Sequence, residues 1–219
     1  MNVLAIGAHF DDVELGCGGT LLKHVSKGDN VYILVVTKSD YVSNISNHQR
    51  NKTDAYKEGL LSAKSYDAQL ITGNFETLTL TPNKELINYL SKVIYEIKPK
   101  IVYTHFIGDQ HLDHKAVAEA SLIATRNVDE VYSYMSNIYD TNPKFSPNYF
   151  VDISDFFDKK IKKVNIYKSE LETHKHWSEQ LKLFNGLYGL KEHKKYVEPF
   201  EVIKISRWYK NENIKIFRW

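Results

Sequence analysis

A histidine and two adjacent carboxylates, His9, Asp11 and Asp12, stand directly behind the apolar run Val3-Leu4-Ala5-Ile6. One imidazole and one carboxylate are metal-ligand types, and a second carboxylate beside them is free to move protons. A second cluster, Gly108-Asp109-Gln110-His111-Leu112-Asp113-His114, follows another short apolar run, Ile101-Val102-Tyr103-Thr104, far along the chain. Two histidines and one carboxylate around an open position make the catalytic zinc pattern, whereas a closed structural site uses four protein ligands, commonly with cysteine. The single cysteine, Cys17, argues against the closed kind. Zinc lowers the pKa of a bound water toward about 7, where a neighbouring carboxylate can take its proton and later deliver it to a leaving amine. These residue types therefore point to hydrolysis of an amide or ester carbonyl, with one of the two aspartates as ligand and the other facing the water.

The elements that must position them alternate. Short β-branched runs at Val3–Ile6, Val31–Val36, Ala68–Ile71, Ile101–Thr104 and Val131–Tyr134 read as strands. Helical spacing covers about 18–27, 51–65, 83–98 and 115–124, and Pro99 ends the third of these. The pattern predicts an α/β fold: a Rossmann-like, doubly wound, mainly parallel sheet flanked by helices. In such a sheet the first and fourth strands are neighbours across the topological switch point, so both polar clusters face one crevice. Beyond about residue 140 the texture changes to a Pro- and Asn-containing loop, a Lys-rich helix from Asp155 to about Glu172, another at about 175–190 and a late strand at 200–205. We expect one domain over 1–219, with a Rossmann-like layer at 1–135 and a helical carboxyl-terminal part at 136–219 that shapes the pocket.

Bulk composition narrows the partners. With 29 basic and 27 acidic residues the net charge is +2, which gives no electrostatic footprint for nucleic acid. No apolar run approaches the roughly 20 residues of a membrane span. There is no basic leader, and the lone cysteine fits a reducing compartment, so a cytoplasmic protein is expected. The sequence admits a homo-oligomer without specifying one.

Ala8-His-Phe-Asp-Asp-Val-Glu-Leu-Gly-Cys-Gly-Gly-Thr20 and His111-Leu-Asp-His114 resemble the two signature motifs of the PIG-L/LmbE-like zinc N-deacetylases. Phe150–Ser154, Tyr167–Ser169 and Tyr196–Phe200 are similar to later segments of that family, so the resemblance covers nearly the whole chain. It implies that His9, Asp12 and His114 bind zinc, with Fe(II) able to fill the same set. It also implies that Asp11 is the general base and acid, that His111 stabilises the oxyanion, and that Asp113 orients His111 or holds it cationic. The implied substrate is a small amino sugar carrying an N-acetyl group, of the N-acetylglucosamine type, as a conjugate, a glycoside or a nucleotide-linked sugar. The chain departs from the family at Phe10 and Leu112, where proline is common. An Arg/Glu pair three residues apart, which contacts sugar in the family, is replaced by Arg50 and Asp54, with the register off by one.

Other readings of single residues stay open at this point. Asp113 has the residue type of an N-cap for the following helix. Glu14 reads as a loop brace, and His105 as either a packed histidine or a support for a ligand. His174, His176 and Trp177 are candidates for lining a sugar site. Gly16-Cys17-Gly18-Gly19 superficially resembles a dinucleotide loop without its full spacing. A nucleotide-binding protein without hydrolase activity, or a hydrolase of a non-sugar amide, are the competing expectations.

Overall fold

The computed structural model describes residues 1–42 and 49–206. Residues 43–48 lie outside the described residues, as does the end of the expected domain at 207–219. The strands and helices follow in the order β1 (Asn2–Gly7), α1 (Asp12–Ser26), β2 (Asn30–Thr37), β3 (Tyr41–Val42), β4 (Gln49–Arg50), α2 (Lys52–Tyr66), β5 (Gln69–Phe75) and α3 (Lys84–Ile97). They continue with β6 (Ile101–His105), α4 (Leu112–Ala124), β7 (Glu130–Tyr134), β8 (Tyr149–Asp152), α5 (Phe157–Val164), α6 (Lys168–Leu171), α7 (Trp177–Lys191) and β9 (Val197–Ile205).

Seven strands form one sheet in the order β5-β2-β1-β6-β7-β9-β8. The first five in that order pair in parallel, and β9 and β8 close the edge antiparallel. Alternate residues of β1 feed opposite faces, as the pleat requires. Val3 and Ala5 join the layer containing Val13, Leu21 and Tyr66, while Leu4 and Ile6 join Leu86, Leu90, Val93 and Ile97 of α3. Burial on both faces explains why β1 reads as a continuous apolar run rather than an alternation. The chain winds from β1 to β2 on one side and returns to β6 on the other, so the crevice opens at the ends of β1 and β6.

Several boundaries differ from expectation. Helix α1 starts at Asp12, six residues before Gly18, with Asp11 at its N-cap position. The glycines that masked this start lie inside the helix because α1 is closely packed. A β-carbon on Gly16 would stand 2.0 Å from the Tyr134 ring, and one on Gly19 would meet Ile153 at 2.8 Å. The likeness to a dinucleotide loop is thus a packing pattern. The helix breaks at Cys17, whose φ of −139° is non-helical. The expected 155–172 helix is two pieces, α5 and α6, separated around Asn165–Tyr167. The carboxyl-terminal part does more than pack beside the sheet, since β8 and β9 extend it.

Candidate active site

The loop after β1 is strained and bolted in place. Asp11 has φ 113° and ψ −30°, a conformation L residues rarely adopt and one that costs about 1–3 kcal/mol. Surrounding contacts enforce it. The Phe10 N–H donates to Ser39 Oγ at 2.9 Å, and Arg50 Nη1 donates to the Phe10 carbonyl and to Asp11 Oδ2, each at 3.1 Å. Phe10 itself is buried against α2, where a β-carbon on Gly59 would stand 2.1 Å from its ring. The departure from proline is therefore matched by a glycine opposite. Leu112, the other departure, is exposed.

The loop after β6 supplies the second half. His111 occupies the N-cap position of α4, and its Nδ1 accepts the Asp113 backbone N–H at 3.2 Å. Asp113 is therefore not the cap, and its carboxylate does not orient His111. It accepts the N–H groups of Leu78 at 2.7 Å and Leu80 at 3.1 Å, and its Oδ2 lies 2.9 Å from His9 Nε2. The expectation fails because the segment after β5 wraps over the start of α4 and turns this side chain toward His9.

Both loops converge. His9 Nδ1 lies 3.2 Å from His114 Nε2 and 3.5 Å from Asp12 Oδ2, while His114 Nε2 lies 3.1 Å from Asp12 Oδ1. The two nitrogens, each with a different oxygen of the Asp12 carboxylate beside it, stand near the roughly 3.3 Å spacing of donors around a tetrahedral ion with bonds of about 2.0–2.1 Å. Their backing favours the same reading. A proton shared with Asp113 leaves the His9 Nδ1 lone pair inward, and Asp109 Oδ2, 3.0 Å from His114 Nδ1, does the same for His114 Nε2. The residues fit a divalent metal. His105 stacks on His114 with ring centroids 4.1 Å apart, and its Nε2 accepts the Ala8 N–H at 3.0 Å and lies 3.2 Å from Asp12 Oδ2, so it packs against the cluster.

Charge is unevenly spread. Burial drives the Asp11 carboxyl well above the usual range, opposed by Arg50 and reinforced by Asp12 and Glu170. Burial works against charge on Asp12 too, but the His114 and His105 imidazoles hold it well below that range. His114, despite burial, is pushed up to about 10 by Asp12 and Asp109. Burial, with His114 and His9 alongside, takes His111 down to about 4, so its imidazole is neutral rather than cationic. Since its Nδ1 accepts a hydrogen bond, the neutral ring carries its proton on Nε2.

A cavity of about 310 Å³ stands over this cluster, lined among others by Asp11, Arg50, His111, Glu170 and Trp177. Arg50 is buried and held by Asp11, by Glu170 at 2.9 Å and by Glu58 at 3.6 Å. Asp54 is elsewhere: it is exposed, bonded to Asn51 at the start of α2, and does not line the cleft. The acid paired with Arg50 on α2 is Glu58, one turn further along. Sequence reading also missed Asp109 and Glu170. Asp109 was visible as a carboxylate five residues before His114, whereas nothing local links Glu170 to Arg50. Glu14 braces the core, accepting from Ser62 at 2.5 Å.

The family model described as PIG-L, GlcNAc-PI de-N-acetylase, matches residues 4–125, which contain both loops. The chain belongs to the PIG-L family. An uncharacterized deacetylase of Escherichia coli, YaiS, is 30% identical over 177 residues, spanning 77% of this chain and 91% of that protein. The diacetylchitobiose deacetylase of Thermococcus kodakarensis is 26% identical, covering 92% of this chain and 83% of the relative. A solved structure of GalB, a 4-carboxy-2-hydroxymuconate hydratase from Pseudomonas putida, superposes with a TM-score of 0.77 at 14% identity, covering 97% and 99% of the two chains. These two relatives of this PIG-L protein are described as deacetylases, but the fold also carries a hydratase, so the reaction has to be argued from the site. Among the described residues, no helix is long and apolar enough to cross a membrane.

Proposed function

We propose that this PIG-L family protein is a metal-dependent hydrolase that removes the acetyl group from the nitrogen of an amino sugar. The observation that carries the reading is the convergence of His9 Nδ1, Asp12 and His114 Nε2 within 3.5 Å of one another, beside an aspartate on strained backbone. His9, Asp12 and His114 would hold one divalent ion, zinc by the chemistry of the set, with Fe(II) able to use the same ligands. A bound ion of this kind supplies Lewis-acid polarisation and a water of lowered pKa.

The chain's own residues do the rest. Asp11 takes the proton of the attacking water and returns it to the departing amine nitrogen. Burial raises its affinity for a proton well above that of an ordinary carboxylate, as a general base requires. Arg50 fixes Asp11 Oδ2 and keeps the carboxyl from becoming permanently protonated. His111 presents Nε2–H to the oxyanion that develops as water adds to the amide carbonyl, and being neutral it donates without moving its own proton. Asp113 and Asp109 hold the two ligand imidazoles in the correct tautomers. Arg50 stands in the cleft wall, where its pairing with Asp11, Glu170 and Glu58 gives it a positioning role. Support for an N-acetylglucosamine-type substrate comes from the family description and from the diacetylchitobiose deacetylase relative.

The test pairs elemental analysis of the purified chain with acetate release from N-acetylglucosamine derivatives. The expected result is one tightly held divalent ion per chain and measurable release, with His114→Ala losing both. Full activity in a metal-free preparation, or in His114→Ala, would overturn the assignment.

A further inference from the structure

Helix α7 buries one side against β9 and α5, where Trp177, Leu181, Asn185 and Gly189 recur every fourth residue. The opposite side is apolar as well. Leu183, Leu187 and Leu190 stand at i, i+4 and i+7, which is one face of a helix, and are 75%, 52% and 77% exposed. Among the described residues, no hydrophobic cluster includes any of the three. Single exposed leucines are ordinary, but a helix that is apolar on both sides is one that is covered on both sides.

Gly186 lies on the same outward face, three residues after Leu183 and four before Leu190. Glycine inside a helix is less stable than alanine, and elsewhere in this chain close packing accounts for it. A β-carbon on Gly16, Gly19, Gly59 or Gly189 would meet another atom at 2.8 Å or less. On Gly186 the nearest would be Tyr196 Cε1, at 3.9 Å, so the described fold does not require a glycine there. Its bare backbone admits a close neighbour from outside.

Charge at the ends of the stripe selects that neighbour. Glu179, four residues before Leu183, is 78% exposed and has the equally exposed His176 beside it at 3.4 Å. Lys191, four residues after Leu187, is exposed, with its Nζ 4.9 Å over the Tyr188 ring and no ion pair among the described residues. A second copy of α7 laid antiparallel, about a two-fold axis between positions 186 and 187, complements all of these features. Leu183 then lies against the partner's Leu190, Leu187 over the partner's Gly186, and the Glu179 end against the end bearing the partner's Lys191. A parallel copy would set glutamate against glutamate.

We infer that the outward face of α7 is an isologous homodimer surface. With 15 residues α7 is about 22 Å long, so the helix pair falls short of the roughly 800 Å² per partner of a standard interface, and the dimer is a micromolar one. Because α7 starts at Trp177 in the cavity wall, pairing braces that wall from outside. Sedimentation equilibrium of the full chain should show reversible dimerisation with a micromolar Kd. Leu183→Asp combined with Leu190→Asp, both at exposed positions, should raise that Kd at least about 30-fold, with circular dichroism verifying the fold. Chains carrying Leu183→Cys and chains carrying Leu190→Cys should form disulfides with each other when mixed and oxidised. Neither should do so alone, since like positions in the antiparallel pair are about 10 Å apart along the axis. Cys17 is buried and takes no part. A chain that stays monomeric throughout the micromolar range, a dimer that survives the two aspartates, or cross-linking as fast within one variant as between the two overturns the surface.

Discussion

Lys160 and Glu198 are both fully buried and 2.7 Å apart, as far from water as anything in the cleft. Their polar atoms are spent on the break in α1. Lys160 Nζ donates to the Leu15 carbonyl before Cys17, while Glu198 accepts the N–H groups of Gly19 and Thr20 and the Thr20 hydroxyl after it. The pair thus satisfies the helix ends that the break exposes. The His9–Asp12–His114 cluster is built the other way. Hydrogen bonds from behind, to Asp113 and Asp109, turn lone pairs toward one shared point instead of consuming them. Beside it, Asp11 is kept in a costly backbone conformation. Buried charge alone is a structural device here; inward lone pairs, backed by carboxylates and flanked by strain, are what single out a reactive centre.

That contrast can be broken at either end. Asp11→Asn should leave the fold and the bound metal intact and lower kcat by about 10²–10⁴, the usual worth of a positioned general base, read as acetate release at unchanged metal content. Retained turnover would remove Asp11 from the chemistry. Lys160→Met should act on the other property. Leaving Glu198 buried without its partner should cost about 3–5 kcal/mol in denaturant unfolding, with metal stoichiometry per folded chain unchanged. Loss of metal without loss of stability would show that the two networks are not separable. Asp113→Ala should weaken metal binding by about 10–100-fold, since His9 loses the group that fixes its tautomer, as measured by competition with a chelator.

The mildest effect is one of pH. In the metal-free chain His114 has its pKa raised to about 10, so it is protonated at neutral pH and must shed that proton to become a ligand. Metal affinity should therefore rise by at least about tenfold per pH unit between pH 6 and 8, with proton release visible as a buffer-dependent heat of binding. A pH-independent affinity would mean that His114 does not bind the ion.

Much of this was legible in the chain. Val3–Ile6 and Ile101–Thr104 are buried on both faces, and uninterrupted β-branched and apolar runs of that length have few other uses. Polar clusters directly behind two such runs, in a fold that places the runs side by side, fix where the site must be. Harder to read were the start of α1, hidden among glycines whose reason is the Tyr134 ring, and the part of Glu170, which comes to Arg50 from α6.

The sequence by itself determined the candidate ligand types, their strand-end placement and the family, because these depend on residue identity and short-range order. Only the tertiary structure decided partners: that Asp113 serves His9 rather than His111, that Arg50 answers to Glu58 and Glu170 rather than Asp54, and that His111 is neutral. The physical reason is that hydrogen-bond direction and desolvation are set by whatever packs opposite, and in this fold those neighbours come from elements distant in the chain.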